Sequence, residues 1–143
     1  MKALFVDTGA FVAKEIARDQ HHATAVQEWT EAADRGERLA SSELVFDESV
    51  TLIARRTTYA FAAEWGRDAL DSGIEWLQAG EDDWRKALAL MRKFADQGVS
   101  FTDCVSAVLM KRAGIRRVFA FDRHFEAMGF RVCPPAEAAG ESL

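Results

Sequence analysis

Short apolar runs of strand length alternate along this chain with longer stretches of helical periodicity, and that alternation limits the folds open to it. Ala3-Leu4-Phe5-Val6 reads as a buried strand that ends at Asp7. Helical text follows from Thr8 to about Ala17. After the polar break Asp19-Gln20-His21-His22, a second helix runs to about Asp34, with Ala25, Val26, Trp29 and Ala33 as its apolar residues. Arg35-Gly36-Glu37 stops it, and Leu39-Ala40-Ser41 reads as the next strand. A helix from Ser42 to about Thr57 and another over Ala60–Leu70 lead to a strand at Ile74–Leu77. Asp82 to about Asp96 is helical, with Trp84, Leu88 and Met91 along one side, and Gly98 stops it. Thr102–Ala113 is the next helix, ended by Gly114. Arg117–Phe121 is a strand ending at Asp122, and Phe130-Arg131-Val132 a short last one.

Strands of this kind, alternating with helices, build a parallel sheet covered on both faces. The expected fold is therefore α/β, a three-layer α/β/α sandwich around a parallel sheet of four to five short strands. At 143 residues the chain fits one core and falls short of two ordinary domains. We expect one domain over residues 1–133 and a loose tail over 134–143, where paired prolines meet Ala, Gly and Ser.

The charge balance, 23 acidic against 18 basic residues, argues against a protein that coats nucleic acid through bulk positive charge. It leaves room for an enzyme that touches a short piece of RNA. Asp7 interrupts the apolar stretch that a signal peptide needs, and no run reaches the roughly 18–20 residues of a membrane span. Cys104 and Cys133 are too few for a disulfide framework or a Cys-type zinc site. A cytoplasmic protein with no membrane association is the expectation.

Asp7, Asp103 and Asp122 each stand where a helix begins, so capping explains any one of them, at about 0.5–2 kcal/mol. Thr102 is a candidate cap in its own right, which leaves Asp103 in the first turn. Their joint placement says more. Asp7 and Asp122 end strands, and Asp103 opens the helix that feeds the second of those strands. In an open parallel sheet, those ends share the edge where ligands bind at the switch in strand order. Glu48 lies mid-helix with Leu44, Val45, Thr51 and Leu52 on its face, so it is expected to be paired, protonated or bound to a cation. Asp47 and Glu43 compete with it for that place, and an ion pair with Arg55 or Arg56 is an alternative. Carboxylates crowded together repel unless a cation neutralises them. Oxygen ligands without His or Cys select Mg²⁺ or Mn²⁺, and such a site suits phosphoryl chemistry.

These segments, in this order, resemble the PIN-domain family, and more narrowly its VapC-type toxin ribonucleases. Phe5-Val6-Asp7-Thr8 is similar to the family's opening strand and first acid. Asp19-Gln20-His21-His22 with Ala25 is similar to the start of its second helix. Ser41-Ser42-Glu43-Leu44-Val45-Phe46-Asp47-Glu48 resembles the stretch carrying the family Glu, which selects Glu48. Phe101-Thr102-Asp103-Cys104 resembles the third acid, and Phe119-Ala120-Phe121-Asp122-Arg123-His124-Phe125 the closing strand and its Asp-Arg-x-Phe. The resemblance implies cleavage of RNA with Mg²⁺ or Mn²⁺, a homodimer, and a small antitoxin protein as partner. It implies that Asp7 and Asp103 ligate metal directly, that Glu48 and Asp122 bind a second metal or hold its waters, and that Thr8 and Thr102 are supporting hydroxyls. Gly9 departs from the Ser or Asn often found there.

His21, His22 and His124 read as surface or packing residues. The basic clusters Arg55-Arg56, Lys111-Arg112, Arg116-Arg117 and Arg123 read as a solvated face, some of it available to RNA phosphates. The tryptophans read as core, or with Tyr59 and Phe61 as the wall of a groove for an antitoxin helix. Two rivals remain at this level. One is a PIN-like module that binds RNA or protein without turnover. The other is a small phosphatase with an Asp nucleophile, whose second Asp would fall where Gly9 stands.

Overall fold

The computed structural model describes residues 3–135. The chain runs β1 (Ala3–Val6), α1 (Thr8–Glu15), α2 (His22–Asp34), β2 (Arg38–Ser42), α3 (Glu43–Arg56), α4 (Tyr59–Leu70) and β3 (Glu75–Leu77). It continues through α5 (Glu81–Lys93), a 3₁₀ turn at Ala95–Gln97, α6 (Phe101–Ala113), β4 (Arg117–Phe119), α7 (His124–Ala127) and β5 (Arg131–Cys133).

The five strands form one sheet in the order β3-β2-β1-β4-β5, parallel at every pairing. Helices α1 to α4 pack on one another, α5 packs on α6, and the two groups clothe the sheet as the expected three-layer α/β/α sandwich. Burial from both faces explains why the central strand β1 and the end of β4 are apolar: Leu4, Phe5, Val6, Val118 and Phe119 are all fully buried. The chain winds from β1 outward to β3, then crosses back to place β4 on the other side of β1. The strand order therefore reverses between β1 and β4, with Val6 beside Phe119.

Helix starts are fixed by hydroxyl caps. Ser42 accepts from the Val45 amide at 3.1 Å, Thr58 from Phe61 at 3.0 Å and Ser100 from Asp103 at 3.1 Å. Thr102 is therefore not the cap of α6; the helix starts a residue before it, and Ser100 does that work. Gly114 ends α6 with φ 72°, a conformation that a Cβ disfavours.

Three helix faces differ from their sequence reading. The buried side of α2 is Ala25, Glu28 and Ala32, whereas Val26 and Ala33 are exposed. The buried stripe of α3 is Val45, Ser49 and Ile53. On α5, Asp83 and Ala87 are buried, while Trp84, Leu88 and Met91 are exposed. Of the expected loose tail, Pro134 is buried and its carbonyl accepts from Arg123 at 3.2 Å. Residues 136–143 of that tail lie outside the described residues.

Buried Glu28 is held by a charge chain at the end of the sheet away from Asp7. Arg35 reaches Glu28 at 3.3 Å and Glu37 at 3.4 Å, and Glu37 also pairs with Arg117 at the start of β4. Burial pushes the Glu28 carboxyl up, and the Arg35 charge and hydrogen bond pull against it. Glu37 thus ties α2 to the sheet, and cutting it leaves the half-buried Arg117 guanidinium without its carboxylate while Arg35 keeps Glu28. Glu37→Ala is expected to lower stability by about 2–3 kcal/mol, read from denaturant unfolding. A double-mutant cycle with Arg117→Ala should return a coupling above about 0.5 kcal/mol. Simple additivity would show that the pair contributes nothing.

Candidate active site

Asp7 follows β1, where its backbone is pinned from both sides. The Ser41 hydroxyl on β2 donates to the Val6 carbonyl at 2.7 Å, and the Asp7 amide donates to the Phe119 carbonyl at 2.9 Å. Asp7 occupies the N-cap position of α1, but its side chain makes no capping hydrogen bond. Capping does not explain it. Burial, then the charge of Asp103, pushes its carboxyl up to about 8; Asp122 and Glu48 add to the rise, and a hydrogen bond from the Thr8 amide opposes it. No basic group is among the groups acting on it.

Asp103 is buried in the first turn of α6, with its amide held by Ser100. Burial and the Asp122 charge raise its carboxyl, while hydrogen bonds from Ser100 and the nearness of His124 lower it. Asp122 lies between β4 and α7, half-buried. Here the capping reading holds in part, because Asp122 Oδ1 accepts from the His124 amide at 2.8 Å.

Asp7, Glu48, Asp103 and Asp122 line one open cleft of about 440 Å³, with Thr8, Gly9, His21 and Arg56 on its walls. The cleft sits at the reversal of strand order, as an open α/β sheet predicts. Glu48 is exposed, contrary to the expectation of a carboxylate buried on a packing face. The packed stripe of α3 is one position over, so Leu44 and Leu52 wall the groove that Glu48 faces. Its rivals are sorted by contact. Glu43 accepts from the Ala79 amide at 2.9 Å, and Asp47 lines only the neighbouring hollow with Thr102 and Arg55. Glu48 lines both hollows, whereas Thr102 does not reach the acid-lined one. The alternative ion pair with Arg56 is not made; Arg56 binds Asp19 at 3.0 Å.

Two histidines read as surface residues belong to the site. His21 lines the cleft and stacks on Phe121, with ring centroids 4.3 Å apart and planes 4° apart. His124 Nδ1 lies 2.9 Å from Asp122 Oδ1 and 3.7 Å from Asp103 Oδ2. Asp103, Asp122 and His124 are the three groups whose ligand atoms gather within 4.8 Å of one another. Only the step of two residues from Asp122 to His124 could have signalled this, and alone that spacing is uninformative. His22 instead packs locally, with Nδ1 2.7 Å from the Ala13 carbonyl oxygen.

The residues fit a divalent cation. Thr8 Oγ1 and His124 Nδ1 are buried without a hydrogen-bond partner, and the donors nearby are predominantly carboxylate oxygens. The basic clusters are mostly committed elsewhere: Arg112 to Asp83, Arg117 to Glu37 and Arg123 to Glu126. Arg55, beside Glu48, has no ion pair among the described residues.

The Asp7 shift makes stability depend on pH in a defined direction. The unfolded chain loses this proton near 3.8 and the folded chain near 8, so the folded state binds more protons in between. Metal-free stability should therefore fall as pH rises through that window. Asp7→Asn lacks the penalty, and its advantage over the parent should grow from pH 5 to pH 9 to about 1–3 kcal/mol. Thermal unfolding in chelator measures it, and a gap that does not change with pH would refute the assignment.

The chain matches the PIN domain family over residues 4–131. It is 29% identical over 127 residues to the 23S rRNA-specific endonuclease VapC20 of Mycobacterium tuberculosis, covering 89% of this chain and 95% of that protein. The crystal structure of that VapC20, described as a sarcin-ricin loop cleaving toxin, superposes with a TM-score of 0.79 over the same shares. VapBC2 from Rickettsia felis, bound to a DNA fragment from its promoter, shares the fold at 13% identity and a TM-score of 0.66, over 91% of this chain and 96% of that one. With this fold and a match over nearly its whole length, the chain belongs to the PIN domain family.

Proposed function

We propose that this protein is a metal-dependent endoribonuclease that hydrolyses RNA phosphodiester bonds with Mg²⁺ or Mn²⁺, as the toxin of a type II toxin–antitoxin pair. One observation carries the reading: Asp7, Glu48, Asp103 and Asp122 line a single cleft at the strand-order reversal. Its likeness to a 23S rRNA-specific endonuclease supplies the substrate class, with 23S rRNA the first RNA to try.

Asp7, Asp103 and Asp122 would hold the cation, with Glu48 facing them across the cleft to hold a second ion or ligand waters. When bound, the ion activates water and neutralises charge on the phosphate. Asp7 must release its proton to take part, since burial among other acids keeps it neutral below about pH 8. Arg55, with Thr102 beside it, is placed to meet a phosphate of the incoming strand. Thr8 Oγ1, buried and unpartnered, is placed to orient a ligand or a water.

Two partners fit other surfaces. An antitoxin helix would lie in the groove between α1, α2 and α4, walled by Phe11, Trp29, Phe61 and Trp65. A second copy of the chain would cover α5, whose exposed Trp84, Leu88 and Met91 form a stripe. Glu81 and Asp82 begin that helix and Arg92 and Lys93 end it, so an antiparallel pair sets opposite charges together. Free Cys104 and Cys133 suit a reducing cytoplasm.

Purified protein should cut a panel of structured RNAs, 23S rRNA fragments included, in Mn²⁺ but not in chelator. Asp7→Asn and Asp103→Asn should each lose about 100-fold or more, which is about 3 kcal/mol of transition-state stabilisation. Cleavage that survives both substitutions would end the mechanism. RNA binding without turnover would favour the inactive module, and phosphate release from a small ester alone the phosphatase. For the dimer, Leu88→Glu should sediment as a monomer at concentrations where the parent sediments as a dimer. A monomeric parent would remove that assignment.

A further inference from the structure

We propose that His124 is itself a ligand to the catalytic cation, and that its imidazole nitrogen biases this site toward Mn²⁺ over Mg²⁺. The inference rests on the metal-nuclease reading above and adds to it a nitrogen donor that the carboxylate cluster alone lacks.

Geometry comes first. An octahedral ion with bonds of about 2.1 Å holds neighbouring donors about 3 Å apart and opposite donors about 4.2 Å apart. His124 Nδ1 stands 2.9 Å from Asp122 Oδ1 and 3.7 Å from Asp103 Oδ2. All three ligand atoms lie within 4.8 Å of one another, a spacing that one ion can span with small adjustments.

The second observation concerns direction. A histidine that served only as a partner for Asp122 would aim a ring N–H at the carboxylate. His124 Nδ1 does not; it is screened from solvent and has no hydrogen bond, although Asp122 Oδ1 is close. No hydrogen bond among the described residues therefore engages the lone pair of this ring nitrogen, although a carboxylate oxygen stands beside it. Thr8 Oγ1, in a residue only 5% exposed, is likewise without a partner in the same cleft. With His21 Nδ1, three unpartnered buried polar atoms belong to residues that line this one cavity.

The backbone holds this arrangement in place. The His124 amide donates to Asp122 Oδ1 at 2.8 Å, and the next residue, Phe125, is fully buried in the core. Ring and carboxylate thus share one short anchored segment at the start of α7. His21 also lines the cleft with an unpartnered Nδ1, but it lies outside the set of three whose ligand atoms gather within 4.8 Å, and the stack on Phe121 fixes its ring plane.

The chemical consequence follows from donor type. Mg²⁺ keeps oxygen ligands and waters, and gains little from imidazole. Affinity for nitrogen rises along the first-row divalent ions, and Mn²⁺ accepts a mixed oxygen and nitrogen set.

Metal-free protein should be titrated with Mn²⁺ and Mg²⁺ by calorimetry, and the Mn²⁺ form examined by pulsed electron paramagnetic resonance for ¹⁴N coupling. The parent and His21→Gln should show that coupling, and His124→Gln should lose it. The same substitution should weaken Mn²⁺ binding about tenfold while moving Mg²⁺ binding less than about twofold. If His124→Gln fails to fold, the coupling in the parent and in His21→Gln decides the matter alone. Bound Mn²⁺ without ¹⁴N coupling in the parent, or equal effects on the two ions, would overturn the inference and leave the nuclease reading standing. A parent that binds neither ion would bring down both.

Discussion

Asp7, Asp103 and Asp122 face one another at the upper edge of the sheet, and their mutual repulsion has to be borne by the backbone that carries them. That backbone is the central pair of the sheet. Asp7 donates its amide to the last residue of β4, the Val6 carbonyl before it accepts the Ser41 hydroxyl, and the site-side ends of both flanking strands are buried. The cluster is held by rigid parallel strands rather than by counter-charges, since Arg56, which lines the cleft, is spent on Asp19. A site that is short of cations and rich in orphaned polar atoms is poised for a divalent ion.

The opposite end of the sheet solves its charge problem internally. Glu28, Arg35, Glu37 and Arg117 neutralise one another there, and Arg112 and Arg123 are likewise paired with acids of the same chain. Some other basic groups, Arg55 beside the cleft among them, form no ion pair among the described residues. The net charge of −5 argues against a protein that coats nucleic acid through bulk positive charge.

The strands and the order of elements were legible because burial on both faces leaves an unambiguous apolar run, as at Leu4-Phe5-Val6 and Val118-Phe119. Helix faces were less so. An error of one residue turns a helix by about 100°, which is how Glu48 was taken for a packed residue when the packed ones are Val45, Ser49 and Ile53. On α2 the apolar Val26 and Ala33 are exposed, and the buried acid Glu28 is recognisable only once its arginine is in place. Asp7, Asp103 and Asp122 could be placed together because strand ends share an edge. His21 could not, since its partner Phe121 is distant in sequence and the stack exists only in the folded chain. His124 was hidden for a different reason: nothing in a two-residue spacing tells a turn from a ligand pair.

The hydrogen bond from Asp7 to Phe119 joins the first strand of the chain to the fourth, with residues 8–118 lying in the loop between them. Contacts so far apart in sequence form late, because the intervening chain must be ordered before they repay its entropy. A nascent polypeptide emerging from its N-terminus displays Asp7 and Glu48 long before Asp103, and Asp122 comes last. Until β4 docks beside β1, these acids are scattered along a partly folded chain. The order of synthesis thus acts as a timer, and the four-acid cleft is assembled only after the segment carrying Asp122 has been made.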